Sequence, residues 1–474
     1  MFRMKTLAMQ KKQHSFAALC FTGLFFAVCT LQVNVLEAQT LYNYGAKVTF
    51  MTGYNGNPGG ALVRVNGGVV NDGSHQNPAS FTNNSDQFYI RTNDNSTNPG
   101  SYTLQNGAVS DGDGKYYVDR DWTNQNGAEF RHGNSEVIFD NGYTNSLNPN
   151  YTQFIRGNVV TVFNHLTVAF TSGGKVQLDN INAETGPSGV FTLSQREFAT
   201  MNNTMVVNNT SSAAIVRTDG FVSSDMVDGE LVRHTASTDS YLYPVGSLLT
   251  GTVVYRPVDL TPSATDHNAF GIRMVSGSPD QTGVTMASSS AAGMNTTFNE
   301  LFYHSATRKD DIGTASANLG INYIPGVDGD WSAIAFTDKQ QNLWRDAGLV
   351  VPSSNTAMSV LTRPIWSFDR PLDKNFVLFH EEGLPDTLPN IITLDGDGIN
   401  DQFHIHNSNI KEFNLKVFNR WGVLVFESTA PQIDWDGKTI AGAEVPTGTY
   451  FYSLKAITLS DAEINRNGFL ELIR

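Results

Sequence analysis

Cysteine is almost absent from this chain. Two of its 474 residues are cysteine, Cys20 and Cys29, and both lie within the first 38 residues. If that segment is removed as a secretory signal, the remaining chain can form no disulfide, perform no thiolate catalysis and offer no cysteine ligand to zinc. Its stability must then come from apolar burial and β pairing.

Positive charge is scarce as well. The chain has 31 lysines and arginines against 45 aspartates and glutamates, which gives a formal net charge of −14. A nucleic-acid surface needs clustered lysine and arginine to displace counterions from phosphates. Nucleic acid is therefore excluded as a partner.

Long apolar runs are limited to one N-terminal stretch, from Phe16 to about Val35. Four basic residues precede this stretch: Arg3, Lys5, Lys11 and Lys12. Ala38 then offers a small residue at a cleavage position, so residues 1–38 are predicted to be a secretory signal peptide. The alternative is a retained membrane anchor, because the stretch is nearly long enough to span a bilayer.

Helical periodicity is missing after residue 38. Short runs of alternating apolar and polar residues recur instead, separated by Gly, Asn, Asp or Pro. The pattern predicts an all-β, multidomain chain. Its predicted regions are a β-rich N-terminal region (39–130), a β-solenoid-like region (131–235), a β-sandwich-like domain (236–380), a linker (381–388) and a C-terminal domain (389–474).

The strand spacing in residues 131–235 favours a short β-solenoid, in which each coil buries its inward face against the next. A β-sandwich could produce the same string of strands, so both interpretations remain open. The fold of residues 39–130 is left undecided by their sequence.

Two related segments follow, Tyr241-Leu-Tyr-Pro-Val-Gly246 and Tyr255-Arg-Pro-Val-Asp-Leu260. They resemble segments of large surface proteins of Bacteroidetes-type bacteria. In those proteins, such segments follow solenoid-like stretches and open a β-sandwich. The resemblance implies a central sandwich in this chain.

The C-terminal domain contains several motifs in a definite order. They are Asp397-Gly398 with Asn400-Asp401, then Asn419-Arg420-Trp421-Gly422, then Trp435-Asp436-Gly437, and finally Gly448 with Tyr450. This order resembles the gliding-motility-associated, type B C-terminal sorting domain of type IX secretion substrates. The segment departs from the family pattern at Leu394-Asp395, where Pro-Asn is usual.

The resemblance implies export rather than chemistry. Domains of this family escort a folded passenger across the outer membrane, and the type B class leaves it extracellular or at the cell surface. The implied partners are the type IX translocon and a PorP/SprF-like outer-membrane protein. The aromatic sandwich faces and the terminal strand would form the recognition surface.

The alternation of residues in this domain predicts an Ig-like sandwich of seven short strands. Leu415 and Val417, for example, alternate with residues of the opposite face. Trp435 is expected in the core, and Trp421 is expected to pack beside a turn that Gly422 permits.

Four oxygen-bearing residues open the domain and are candidate metal ligands: Asp395, Asp397, Asn400 and Asp401. Closely spaced hard oxygen ligands suit Ca²⁺. Without calcium, Asp-Gly-Asp-Gly is a tight turn whose aspartates cap backbone amides. Calcium is thus the cofactor that the sequence leaves open, here and also at Asp111-Gly-Asp-Gly114 and Asp328-Gly-Asp330.

Catalytic signatures are missing from the sequence: it has no Gly-x-Ser-x-Gly elbow and no phosphate-binding loop. His404 and His406 share one strand face, either as surface residues or as a metal-binding pair. Asp119 and Asp121 flank Arg120, and a pair of carboxylates could serve glycoside cleavage.

Two functions therefore stand side by side. The first is a secreted or cell-surface non-catalytic protein, an adhesin-like or matrix module. The second is a secreted polysaccharide-binding or polysaccharide-degrading protein that acts on surface glycans. It predicts a groove along residues 39–235, lined by Trp122 and by Tyr116 or Tyr117.

Overall fold

The structure, a computed structural model, describes most of the chain. The described residues are 18–21, 29–30, 35–38, 40–44, 47–50, 62–66, 68–74, 79–85, 87–91, 100–140, 151–169, 174–225, 228–248, 251–284, 296–309, 316–338, 343–347, 350–354, 357–368, 374–381, 388–395, 400–406, 410–430, 432–458 and 463–474.

Strands make up 60% of the structure and helix 2%, which confirms the all-β prediction. Among the described residues, no helix has the length and apolar character needed to cross a membrane. The chain divides into two compact units, residues 1–199 with 216–220 and residues 200–215 with 221–474.

The first unit is a parallel β-solenoid. Its strands are β1 (Ala18–Phe21), β2 (Cys29–Thr30), β3 (Val35–Ala38), β4 (Thr40–Tyr44), β5 (Lys47–Phe50), β6 (Leu62–Asn66), β7 (Val69–Asp72), β8 (Ser80–Asn83), β9 (Gln87–Arg91), β10 (Tyr102–Gln105), β11 (Val109–Asp111), β12 (Lys115–Val118), β13 (Trp122–Asn124), β14 (Glu129–Phe130), β15 (Glu136–Phe139), β16 (Thr152–Gly157), β17 (Thr161–Phe163), β18 (His165–Val168), β19 (Lys175–Asp179), β20 (Ala183–Thr185), β21 (Phe191–Leu193) and β22 (Glu197–Ala199). Most of these strands pair in parallel with the strand three places along, as β10 does with β7 and β13, although β14 and β17 belong to different sheets. Three strands therefore form one coil.

The coils are present on both sides of residue 130. The ladder β3-β6-β9-β12-β15-β18-β21 passes from residues 39–130 into the following region without a break. The solenoid thus includes the N-terminal region whose fold the sequence left undecided. Strands β1–β3 lie in the segment predicted to be a signal peptide, and its cleavage stays a prediction.

Stacked residues of successive coils fill the solenoid core. Tyr102 stacks on Trp122 with ring centroids 4.5 Å apart, and Trp122 meets Phe130 edge-on at 5.0 Å. Buried asparagines of successive coils also pair: Asn43 Nδ2 donates to Asn71 Oδ1 at 2.8 Å. Parallel in-register pairing places equivalent residues above one another, so buried side-chain amides can form hydrogen bonds with each other.

The second unit contains a sandwich built from long antiparallel strands. Its strands up to residue 381 are β23 (Thr204–Val207), β24 (Ile215–Arg217, at the boundary of the units), β25 (Phe221–Ser223), β26 (Glu230–Thr235), β27 (Tyr241–Tyr243), β28 (Val245–Ser247), β29 (Val254–Tyr255), β30 (Val258–Pro262), β31 (Asn268–Ser276), β32 (Thr296–Phe298), β33 (Phe302–Arg308), β34 (Ser316–Tyr323), β35 (Ala333–Asp338), β36 (Leu343–Asp346), β37 (Val351–Ser354), β38 (Ser359–Ser367) and β39 (Lys374–Glu381). Two short 3₁₀ helices, Ser212–Ala214 and Pro279–Thr282, accompany them. The main sheets are β23-β26-β31-β33-β39-β35-β36 and β27-β30-β34-β38-β37.

The aromatic-proline segments serve the packing of this sandwich. Tyr241 and Tyr243 are buried. The guanidinium of Arg256 donates from Nε to Asp328 Oδ2 at 2.5 Å and from Nη2 to Asp328 Oδ1 at 2.6 Å. Both oxygens of the Asp328 carboxylate are therefore held in a buried ion pair. This corrects the proposal that Asp328 is a metal ligand.

The C-terminal residues form a separate set of seven strands. These are β40 (Ile391–Thr393), β41 (Phe403–His406), β42 (Ile410–Asn419), β43 (Leu424–Ser428), β44 (Gln432–Trp435), β45 (Gly448–Thr458) and β46 (Glu463–Ile473). Five form a sheet in the order β40-β46-β45-β42-β43, and β41 pairs with β44. Trp435, Leu415, Val417, Leu454 and Leu470 are among the residues that fill the core between them.

Candidate recognition surface of the C-terminal domain

The second motif of the C-terminal domain forms the turn between β42 and β43. The side-chain Oδ1 of Asn419 accepts the backbone N–H groups of Trp421 and Val423, each at 3.0 Å. Gly422 has a φ of +76°, a conformation that favours glycine. The turn therefore accounts for Asn419 and Gly422, but not for the two residues between them.

The third and fourth motifs close the core. Trp435 is 1% exposed, as predicted, and its indole Nε1 donates to the Lys438 carbonyl at 2.6 Å. A side chain at Gly437 would meet Leu394 and Leu472 at 2.8 Å. The hydroxyl of Tyr450 donates to the carbonyl of Pro446 at 2.6 Å and so ties the entry of β45 to the strand itself. These residues maintain the fold.

Trp421 projects away from the domain. Its side chain is 78% exposed, so the expectation that it packs beside the turn is wrong. The guanidinium of Arg420 lies over its ring, 5.4 Å from the centroid. An exposed tryptophan that adds nothing to the core is a candidate contact residue.

A row of large apolar side chains crosses the outer face of the five-stranded sheet. Strand register places Leu424, Phe418, Phe451 and Phe469 side by side on β43, β42, β45 and β46. Phe451 is 49% exposed, Phe469 54% and Leu424 40%. These four residues are called the outer row below.

Two more apolar residues lie on this face beyond the polar Glu471. Ile473 of β46 and Ile391 of β40 are also exposed on this face. Away from Trp421, the next outward-facing pair after Phe451 and Phe469 is polar, with Ser453 opposite Asn467. On the side of the Trp421 turn, Thr449 lies opposite Glu471, so polar positions border the outer row in both directions.

A comparison with known families identifies this domain. Residues 387–472 match the family model described as the CHU_C Type IX secretion signal domain. They form a type IX secretion signal domain. The signal domain implies interaction with the type IX secretion machinery, export, and a surface or extracellular location. No curated protein and no solved structure matches this chain.

The acidic loop that was predicted to bind calcium is only partly described. Asp397 and Gly398 lie outside the described residues. Asn400 takes a left-handed conformation, with a φ of +56°, and its carbonyl accepts the Thr393 N–H at 2.8 Å. In the described part of the chain, no three His, Cys, Asp or Glu side chains form a metal cluster. Calcium at Asp395, Asp397, Asn400 and Asp401 therefore stays a prediction.

Two other candidate ligand groups have structural partners. His404 Nδ1 lies 2.7 Å from Asp434 Oδ1 across the β41–β44 pair, and the side chain of His406 is outside the description. In the solenoid, Asp113 Oδ1 accepts the backbone N–H of Asn134 at 2.7 Å. Asp113 of the Asp-Gly-Asp-Gly segment thus caps a backbone amide, whereas Asp111 Oδ1 is buried without a hydrogen-bond partner among the described residues.

The residues predicted to line a glycan groove are mostly in the solenoid core. Trp122 and Tyr116 are fully buried, which overturns their predicted contact with sugars. Asp119 is fully buried too, and its Oδ1 lies 2.7 Å from Arg91 Nη1. Asp121 Oδ1 accepts the backbone N–H of Phe154 at 3.0 Å. Trp122, Tyr116 and Asp119 therefore face the solenoid core. The alternation of residues in such short strands did not show which side would face inward.

Some aromatic surface remains on the solenoid. Tyr117 is half-buried and stacks on Tyr89 with ring centroids 4.4 Å apart. The guanidinium of Arg91 lies 4.5 Å from the centroid of Tyr89. Arg120, between the two aspartates, lies 3.7 Å over the ring of Tyr151. Tyr117 is thus the one predicted groove residue that keeps an accessible edge.

Proposed function

We propose that the outer row and Trp421 are the surface by which the type IX machinery recognises this protein, and that the exported passenger is a non-catalytic, adhesin-like or matrix module. Export itself follows from the signal domain. The proposal adds the contact surface, the partner and the role of the passenger.

The outer row carries the proposal for the contact surface. Burying a phenylalanine is worth about 1.5–3 kcal/mol, so a fold gains nothing by leaving two of them half exposed on neighbouring strands. Phe451 and Phe469 lie opposite each other, whereas the core of the same strands is filled from the other face. Contiguous exposed apolar surface on a soluble domain is typical of a protein contact.

The proposed partner is a PorP/SprF-like outer-membrane protein acting with the type IX translocon. An aromatic row flanked by Trp421 and Arg420 has the composition of an interface centre, where tryptophan, phenylalanine and arginine are enriched. Ile473, at the end of the terminal strand, is exposed on the same face of the sheet, so one partner can contact it together with the outer row.

The passenger's acids support a non-catalytic role. Asp119, considered for glycoside cleavage, is buried and paired with Arg91. Asp328 is paired with Arg256 in the same way. A general acid or nucleophile must reach its substrate, and these carboxylates are instead engaged inside the fold.

The predicted signal peptide would supply the first step of the export route.

A paired substitution in the full chain tests the contact surface. Phe451→Ser with Phe469→Ser, expressed in a type IX-competent bacterium, is expected to lower the secreted fraction at least tenfold. The protein should then accumulate inside the outer membrane. Quantitative immunoblotting of medium, surface and periplasm measures the distribution, with a chain lacking residues 387–474 as the reference for failed export.

The matched control uses the next positions of the same two strands. Ser453→Ala with Asn467→Ser changes facing residues of the same sheet face and should leave secretion unchanged. Equal secretion of the two double variants would refute the outer row as the contact surface. Protease resistance of the retained protein shows whether the signal domain is still folded.

Glycan binding is the second candidate function, and the exposed edge of the Tyr89–Tyr117 stack favours it. Aromatic side chains on a flat β surface can pack against sugar rings. A glycan array with the wild-type chain and with Tyr117→Ala separates the candidates: retention that Tyr117→Ala abolishes supports binding, and release of product sugars supports an enzyme.

A further inference from the structure

Two histidines of the central sandwich lie in direct contact. His234 is on β26, and His267 immediately precedes β31. Nδ1 of His234 is 3.1 Å from Nε2 of His267, and the ring centroids are 5.0 Å apart with planes inclined by 46°. No motif in the sequence links these residues, which are 33 positions apart.

The backbone around both rings is well supported. In the β26–β31 pair, His234 lies opposite Ala269, and Thr235 lies opposite the buried Asn268. Asn268 Nδ2 donates to the carbonyl of Asp266 at 3.0 Å and so holds the residue before His267.

The spacing of the two nitrogens suits metal coordination. Histidine nitrogens bind Zn²⁺ at about 2.0–2.1 Å. Two such bonds to nitrogens separated by 3.1 Å enclose an angle of about 100° at the metal. That angle lies between the values for square-planar and tetrahedral ligands, so one ion can accept both nitrogens after each ring turns its nitrogen by about 40° from the other ring toward the metal.

We infer that His234 and His267 form a binding site for a divalent transition-metal ion such as Zn²⁺, Ni²⁺ or Cu²⁺. Imidazole suits these ions, whereas Ca²⁺ and Mg²⁺ prefer oxygen ligands. In the described residues no third His, Cys, Asp or Glu completes a cluster with them. Two imidazole ligands are fewer than the four of a structural zinc site, so weaker binding than at such a site is expected.

The metal-free contact and the metal site use the same nitrogens. Without metal, one neutral ring donates its N–H to the other ring across the 3.1 Å contact. Metal binding needs an unprotonated nitrogen on each ring. The donating ring reaches that state by moving its proton, through solvent, to its outward nitrogen. Each ring remains neutral, and no co-reactant is needed.

Calorimetric titration of the purified full chain tests the site. After treatment with a chelator and its removal, Zn²⁺, Ni²⁺ and Cu²⁺ are each titrated, with Ca²⁺ as the contrasting ion. One transition-metal ion per chain is expected at this site. His234→Gln and His267→Gln should each weaken binding at least tenfold, and the double variant should be no worse than either single variant.

His404→Gln is the matched control, since His404 is a partly exposed histidine already held by Asp434. It should leave the titration unchanged. Electron paramagnetic resonance of the Cu²⁺ form should show coupling to two imidazole nitrogens, and to fewer in either variant. Absence of binding by all three ions, or binding that survives both His234→Gln and His267→Gln, would overturn the inference.

Discussion

The solenoid and the signal domain use aromatic residues in opposite ways. In the described part of the solenoid, Tyr102, Trp122, Phe130 and Phe163 are all buried and contact one another. In the signal domain, Trp435 and Tyr450 fill the core, but Trp421 and the phenylalanines of the outer row face solvent. Both regions are built from β-strands.

This difference separates aromatic residues that stabilise the fold from aromatic residues that are exposed on its surface. A coil of the solenoid buries its aromatic residues because the next coil covers them in register. The signal domain already has a filled core, so aromatic residues on its second face add no packing. Substitutions of buried and exposed aromatic residues should therefore affect different properties.

The largest effect is expected from the two tryptophans of the signal domain. Trp435→Ala removes a fully buried anchor and should destabilise the domain by about 3–5 kcal/mol, with loss of secretion. Trp421→Ala should change stability by less than about 0.5 kcal/mol yet still reduce secretion. Hydrogen exchange of β42, β45 and β46 measures local stability, and immunoblotting measures export.

These two variants can contradict the distinction between buried and exposed aromatic residues. If Trp421→Ala lowers hydrogen-exchange protection as much as Trp435→Ala does, the exposed tryptophan is part of the fold. If Trp421→Ala is exported normally, its exposure has no role in recognition, and only the outer row remains as the contact surface.

A smaller effect is expected in the solenoid. Asp119→Asn leaves the largely buried Arg91 with Asp140 as its remaining acidic partner, at 3.1 Å. Breaking a buried ion pair in this way should cost about 3 kcal/mol. Urea unfolding followed by exchange of β9 and β12 measures it. Asp179→Asn is the control, because Asp179 is partly exposed and 3.7 Å from Arg156.

The solenoid prediction also bears on catalysis. A carboxylate that positions Arg91 should affect folding, whereas a catalytic carboxylate should affect turnover without affecting stability. Loss of glycan turnover by Asp119→Asn in a protein of wild-type stability would contradict the structural role and revive the enzyme hypothesis.

Sequence predicted most where local chemistry decides the structure. Asn419 and Gly422 form a turn that is encoded within four residues, and Trp435 is anchored three residues from its hydrogen-bond acceptor. The all-β class and the signal domain were likewise visible in short motifs. The solenoid was recognisable only in part, because strands of three to five residues show little periodicity.

Strand register decides the features that sequence missed. The outer row joins residues 418, 451 and 469, which become neighbours only through pairing of β42, β45 and β46. The contact between His234 and His267 depends likewise on β26 pairing with β31. Trp122 was wrongly predicted to line a groove. Which side of a three-residue strand faces the core is set by the neighbouring coils, and the sequence of the strand does not show it.

The smallest predicted loss of core stability concerns a single hydroxyl in the signal domain. Tyr450→Phe keeps the buried ring but removes the 2.6 Å hydrogen bond to the Pro446 carbonyl, which should cost about 1 kcal/mol. Tyr452→Phe is the control, because in the described residues its hydroxyl makes no hydrogen bond. Hydrogen exchange at the start of β45 compares them. Equal protection in both variants would show that the ring alone anchors β45, and secretion should remain near wild type because the outer row is untouched.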